Sequence, residues 1–225
     1  MNALTERGCF LTLEGVDGAG KSTFIPFLVA ELEGQGIEVV QTREPGGTSM
    51  GEKLRDLTLH EDMDLKTEVL LMFASRAEHI ERVIEPALRA GKWVVCDRFT
   101  DSSYAYQGGG RKLGGAFIEQ LEQLVHPNLQ PDVTWFFDVP LDVARQRMSG
   151  TRDMDRFELE GQEFFLRTQN AYHERMHKHS ERIVQIDARQ TIEQIKSFLA
   201  AEVQQLVANR YGPAHTQEPT LRMVG

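Results

Sequence analysis

The stretch GVDGAGKS, Gly15 to Ser22, fits the pattern G-x-x-x-x-G-K-[ST], whose backbone N–H groups wrap a polyphosphate. Its surroundings suit that chemistry. The apolar run Cys9–Leu13 precedes it with only Glu14 between, and a helical pattern follows, so the N-terminus of the helix would face the anion. Gly15, Val16, Asp17, Gly18, Ala19 and Gly20 would form the cradle, with Thr23 completing it. Lys21 would reach the β- and γ-phosphates, and the Ser22 hydroxyl would ligate Mg2+. A second phosphate-handling element is WVVCDRF, Trp93 to Phe99, an apolar strand ending in Asp97, which can orient Mg2+ directly or through water. Arg98 follows at once, and its fork suits bidentate binding of phosphate oxygens.

A rival motif of similar length lies at HERMH, His173 to His177, which fits the zinc pattern H-E-x-x-H. Its context is poor. Phe165, Tyr172 and Met176 mark the apolar face of that helix, and the histidines lie about 100° away from it among charged neighbours. The zinc reading is set aside.

The elements that must position these groups read as short apolar strands alternating with longer helical patterns. Strands are predicted at Phe10–Leu13, Glu38–Thr42, Trp93–Cys96, Val133–Val139 and Ile183–Ile186. Helices are predicted at Ser22–Glu33, Lys66–Arg89, Ala116–Val125, Leu141–Met148, Glu158–Lys178 and Ile192–Val207, with Pro26 kinking the first or delaying its start. This alternation implies an α/β fold, a parallel sheet covered by helices on both faces. Two segments show no periodicity of their own, Glu44–Asp64 with PGGT and Phe99–Gly115 with YQGGGR. They read as functional or mobile loops whose glycines admit close approach of a ligand. The tail from Gly212 reads as disordered.

A net charge of −9 argues against a general affinity for nucleic acid or anionic membrane, so a polyanion site here needs a local cationic cluster. No run of eighteen apolar residues exists to span a membrane, and the N-terminal apolar run is too short for the core of a secretory signal. Cys9 and Cys96 sit in strand-like runs and read as buried thiols rather than a disulfide. Together these features predict a cytoplasmic protein.

The residues and their order resemble the thymidylate kinase family of P-loop proteins. The resemblance runs from about Phe10 to Leu206 and includes the P-loop, TREPGGT (Thr42 to Thr48), LLMFASRAEHI (Leu70 to Ile80), DRF, and SSYAYQGGGR (Ser102 to Arg111). It implies a five-stranded parallel sheet, a homodimer, and transfer of the γ-phosphoryl of ATP to dTMP with Mg2+. On this resemblance Phe73 would stack on thymine, Arg76 would donate to a base carbonyl, and Ser103 and Gln107 would reach the base edge. Tyr106 would exclude a ribose 2′-OH, and Arg55 and Arg98 would hold the acceptor phosphate. Glu14 and Asp17 would meet Mg2+ waters and the sugar 3′-OH, and Ala188 would lie against adenine.

Some members of the family carry an arginine inside the P-loop, at the position of Gly18 here; others place arginines in a mobile lid. RQRMSGTRDMDR, Arg145 to Arg156, supplies four arginines in twelve residues, with Ser149–Gly150 as a hinge. By resemblance the lid covers about residues 149–158 of a single kinase domain spanning 1–211, and Arg147 and Arg152 are the candidates to meet the transferring phosphoryl. Two other readings stay open. A kinase acting on an unphosphorylated nucleoside is disfavoured by the pair Arg55 and Arg98. A guanine-reading switch is disfavoured because no N-K-x-D tetrapeptide occurs.

Overall fold

The structure is a computed structural model that describes residues 7–148, 157 and 160–212. Five strands form one all-parallel sheet: β1 (Phe10–Glu14), β2 (Val39–Arg43), β3 (Trp93–Asp97), β4 (Val133–Asp138) and β5 (Ile183–Asp187). Their order is β2-β3-β1-β4-β5. Because β1 lies between β3 and β4, the chain winds outward on both sides of it. In such sheets ligands bind beyond the carboxyl ends of the strands at this reversal point. The register sets Leu13 opposite Asp97 on one side and Trp135 on the other, so the ends of β1 and β3 emerge together.

The central strands β1, β3 and β4 are mostly apolar on both faces because both are covered, while the edge strands β2 and β5 are partly exposed. Leu11, Leu13, Trp93, Val95, Trp135 and Phe137 pack into the same core as Phe24, Leu28 and Leu32 of α1 (Lys21–Gly34) and Leu199, Val203 and Val207 of α9 (Ile192–Tyr211). Phe10, Val94 and Cys96, one residue out of phase, pack with Ile80, Ile84 and Leu88. That alternation is the period-two pleat of a strand. Cys9 and Cys96 are buried free thiols. No helix among the described residues is long and apolar enough to cross a membrane.

Several local expectations are corrected. α1 starts at Lys21 and runs past Pro26 to Gly34, so the proline does not delay it. The helix expected over 66–89 is α3 (Leu65–His79), a π-helical turn (Ile80–Ile84) and α4 (Glu85–Arg89). The Glu85 N–H reaches back to the Ile80 carbonyl. Pro86 follows, and because it has no N–H to continue the α ladder it accounts for the shift.

The segment 44–64 contains α2 (Ser49–His60), capped by the Thr48 side chain on Gly51 N–H at 2.9 Å. The segment 99–115 folds as α5 (Thr100–Ser103) and a π-helical stretch (Tyr104–Gly110) against α8 (Gln162–Lys178). Its glycines serve that packing. A Cβ at Gly110 would come within 2.5 Å of both Phe164 and Thr168, while the Gly110 carbonyl accepts from Arg167. α6 (Gly115–Val125) and α7 (Leu141–Met148) complete the helices of the described residues. Most of the expected lid (149–156 and 158) and the tail after Gly212 lie outside the described residues, and with them Arg152 and Arg156.

Candidate active site

The loop from Gly15 to Gly20 crosses from the buried strand β1 into α1. Lys21 folds back over it, and Nζ donates to the carbonyls of Gly15 and Val16 at 2.9 and 3.1 Å. Burial, aided by nearby Arg98, lowers the Lys21 ammonium to about 8. Gly18 has φ +78°, and a Cβ there would lie 2.3 Å from the Ala144 carbonyl of α7. The loop therefore has no room for a side chain at this position, which is the physical reason its only cation is Lys21. Arg147, on the same helix, donates to the Ala188 carbonyl at 2.9 Å and lies 3.5 Å from the Gly18 carbonyl. Arg147, Gly18 and Ala188, distant in sequence, thus meet on one side of the loop.

Asp97 ends β3 beside this loop, and its Oδ1 is buried without a partner among the described residues. The Ser22 side chain is exposed at the start of α1. A bare carboxylate oxygen and an open hydroxyl are hard oxygen donors of the kind Mg2+ takes, so these residues fit that ion. Glu14 does not stand ready for such a role. Its Oε1 accepts from Phe99 N–H at 2.7 Å, and its Oε2 accepts from the Ser102 and Tyr172 hydroxyls. Burial, with the Asp101 charge nearby, raises its carboxyl to about 7.

Beyond Asp97 the chain turns sharply. Arg98 has φ +70°, a left-handed conformation that few side chains adopt without support. The support is visible. Arg98 donates to Asp17 at 2.7 Å, to Tyr106 at 3.1 Å, and to Ser102 and Tyr172 at 3.2 Å, and its guanidinium lies over the Tyr106 ring. Tyr106 also donates to Asp17 at 2.8 Å. Burial alone would lift the Asp17 carboxyl, but Arg98 and Lys21 hold it well below the usual range.

Asp17 and Arg98 form one wall of a cleft beside the loop. The remaining lining includes Arg55, Met72, Arg76, Phe99, Ser103, Tyr106, Gln107 and Phe157. Arg76 is buried, donating through Nε to Glu44 at 2.7 Å and through Nη2 to the Phe99 carbonyl and Ser103, while buried Nη1 has no partner among the described residues. Glu44 holds it in place, and Arg76 and His79 keep the Glu44 carboxyl below its usual range against the effect of burial. Arg55 donates to the Pro45 carbonyl at 3.0 Å.

Phe73 is a correction. The ring expected to meet a base does not line the cleft; it is buried, stacks with His126 at 6.3 Å, and carries the Arg76 guanidinium 4.6 Å from its centre. Met72 lines the cleft instead, four residues before Arg76 and therefore on its helical face. The sequence analysis gives Glu44, Glu68 and Ser102 no role of their own and reads Tyr172 only as part of an apolar helix face. A buried carboxylate has no sequence mark of its own, although the apolar run Val69–Phe73 directly after Glu68 is a hint. At the rival motif, His173 lies 3.3 Å from Asp138 and His177 Nδ1 lies 2.7 Å from the His173 carbonyl, and no group of metal ligands forms among the described residues.

A phosphate loop at the switch point of a parallel sheet, sharing a wall with an open cleft lined by arginines and apolar side chains, defines a P-loop nucleotide-binding protein. Comparison with known proteins narrows the class. The family model described as thymidylate kinase matches residues 13–199. Thymidylate kinase of Bordetella pertussis is 60% identical over 205 residues, 91% of this chain and 99% of that protein. That of Methylobacillus flagellatus is 54% identical over 190 residues (84% and 94%), and that of Nitrosomonas eutropha 49% over 201 residues (88% and 94%). The chain belongs to the thymidylate kinase family.

Proposed function

We propose that the chain is an ATP-dependent dTMP kinase that transfers the γ-phosphoryl group of ATP to dTMP, giving dTDP and ADP. The observation that carries this reading is the shared wall: Asp17 of the phosphate loop and Arg98 at the adjoining strand end both line the acceptor cleft. A donor on the loop and an acceptor in the cleft would therefore meet at Arg98. The loop from Gly15 to Thr23 binds the ATP phosphates, Lys21 turns from its carbonyls to the β- and γ-phosphates, and the Ala188 backbone lies by adenine. Ser22 and Asp97 would hold Mg2+, which when bound neutralises charge on the phosphates.

Arg55 and Arg98 hold the acceptor phosphate. Arg76, with its unpartnered Nη1, and Ser103 and Gln107 read the base edge, and the Tyr106 ring fills the place a 2′-OH would need. Met72 and Phe99 supply the apolar contact first assigned to Phe73. An oxygen of the acceptor phosphate attacks the γ-phosphorus as the bond to the bridging oxygen of ADP breaks. The attacking group is largely ionised near neutral pH, its second pKa being about 6, so no general base is required. Arg147 and Arg152 supply charge that Gly18 cannot, with closure of the lid limiting hydrolysis.

The unit is a single kinase domain over residues 1–211, cytoplasmic, acting as a homodimer. Exposed Leu57, Leu70 and Leu124 on the neighbouring helices α2, α3 and α6 support the last point. ADP release with ATP and Mg2+, compared across dTMP, dUMP, dGMP, UMP and thymidine, tests the activity. Strong preference for dTMP is the expected outcome; release indifferent to the acceptor would refute it.

A further inference from the structure

Gln107 lines the cleft, but the group that decides which end of its amide faces inward lies outside the cleft lining. Gln107 Nε2 donates to Glu68 Oε1 at 2.8 Å, and Glu68 is 1% exposed, on the first turn of α3. An ionised carboxylate accepts and cannot donate, so it selects the amide orientation with nitrogen toward itself. The other Glu68 oxygen lies 3.6 Å from Arg111 Nε. Arg111 is held in turn, with its guanidinium over the Phe157 and Phe164 rings and an ion pair to Glu160. The carboxylate is thus fixed between an amide and a cation, and the Gln107 carbonyl oxygen is the end left for a ligand.

We propose that Glu68 is a positioning residue for selection of the acceptor base: by holding the Gln107 nitrogen it offers the cleft an acceptor, so the base must bring an N–H donor. Arg76 lines the same cleft, and its buried Nη1, which has no partner among the described residues, calls for the complementary carbonyl. Together they suit the imino N–H and carbonyl of thymine or uracil. Cytosine presents an unprotonated ring nitrogen and an amino group there, which reverses both contacts and leaves buried polar groups unpaired. This inference rests on the reading that the base of dTMP enters the cleft.

The test measures kcat and KM for dTMP and dCMP at saturating ATP and Mg2+, in Glu68→Gln, Gln107→Met and the double variant. Glu68→Gln preserves volume but lets the Gln107 amide turn. It should raise the dTMP KM and lower the dTMP-to-dCMP ratio of kcat/KM by about tenfold, the worth of one good hydrogen bond, without moving the ATP KM. In the Gln107→Met background the same substitution should add nothing further, since Glu68 acts through Gln107. An unchanged ratio in Glu68→Gln, or equal losses in both backgrounds, overturns the Glu68 role while leaving Gln107 as a base contact. An unchanged ratio in Gln107→Met defeats the cleft reading itself. Should Glu68→Gln fail to fold, Glu68→Asp, whose carboxylate is withdrawn by one methylene, should lower the ratio about twofold or more, and an unchanged ratio there overturns the proposal.

Discussion

From Gly15 to Ser22 the chain builds a binding surface out of one contiguous stretch, mostly from backbone, with one cation that rests on two of the loop's own carbonyls. The cleft proposed to take the acceptor is assembled differently. Its wall takes Asp17 from the loop, Arg55 from α2, Met72 and Arg76 from α3, Arg98 from the end of β3, and Tyr106 and Gln107 from the π-helical stretch. Behind that wall stand buried charges whose partners come from still other elements. Asp101, buried beside the cleft-lining Ser102 and Ser103, accepts from Arg175 of α8 and from Arg182 just before β5 at 2.7–3.0 Å. The contrast teaches that the loop's one cation should be replaceable with little cost to folding, whereas the cleft and the fold share the same ion pairs.

Four substitutions could break or sharpen this contrast. The largest effect is expected at Asp101. Asp101→Ala leaves two buried guanidinium groups without their anion and should cost about 3–5 kcal/mol of stability in urea unfolding. A loss under ~1 kcal/mol would show that the cleft wall does not depend on this pair. Lys21→Met should act the other way, lowering kcat by about 10²–10³-fold as a phosphate-stabilising donor is removed. Its unfolding midpoint should hold or rise, because burial and the nearby Arg98 disfavour the ammonium by more than the Asp97 and Asp17 carboxylates favour it. A midpoint that falls along with kcat would erase the distinction between the two regions.

Glu14, between them, should respond to pH. Burial lifts its carboxyl from 4.5 to about 7, so between these values the folded chain keeps a proton that the unfolded chain has released. The stability from this group is full below the lower value and is lost as pH rises through the upper one. Urea midpoints of Glu14→Gln should therefore fall less between pH 5 and 7.5 than those of the parent, and parallel profiles would count against a protonated Glu14. The smallest effect is expected at Tyr106→Phe. It removes the hydroxyl from Asp17 and Arg98, worth about 1 kcal/mol in kcat/KM for dTMP, but keeps the ring that should exclude UMP. Admission of UMP by this variant would transfer that selectivity from the ring to the hydroxyl.

The parallel sheet was legible because its central strands, buried on both faces, are short apolar runs such as Phe10–Leu13 and Trp93–Cys96 that alternate with longer helical patterns. The phosphate loop was legible for a related reason. Its function needs a fixed backbone path, and glycines at set spacing specify that path locally. α2 escaped notice, although Thr48 as N-cap and Leu54, Leu57 and Leu59 were available as signals; the PGGT turn before it drew the segment toward a loop. Phe73 was misplaced by a single residue, since a step of one on a helix turns a side chain by about 100° and sequence spacing alone did not separate it from Met72.

Residue types and local spacing determined the fold class and the phosphate loop, and the family resemblance pointed to Asp17, Arg55, Arg76, Arg98, Ser103, Tyr106 and Gln107 on the cleft. Tertiary structure decided their partners. That Glu44 holds Arg76, that Glu68 turns Gln107, that Asp101 gathers two arginines, and that α7 leaves no room beside Gly18 all depend on contacts between elements far apart in the chain. Those partnerships follow from burial, which makes a lone charge or amide costly and so compels a nearby complement. A string of residues records each group, but only the packed chain brings the complements within hydrogen-bonding distance.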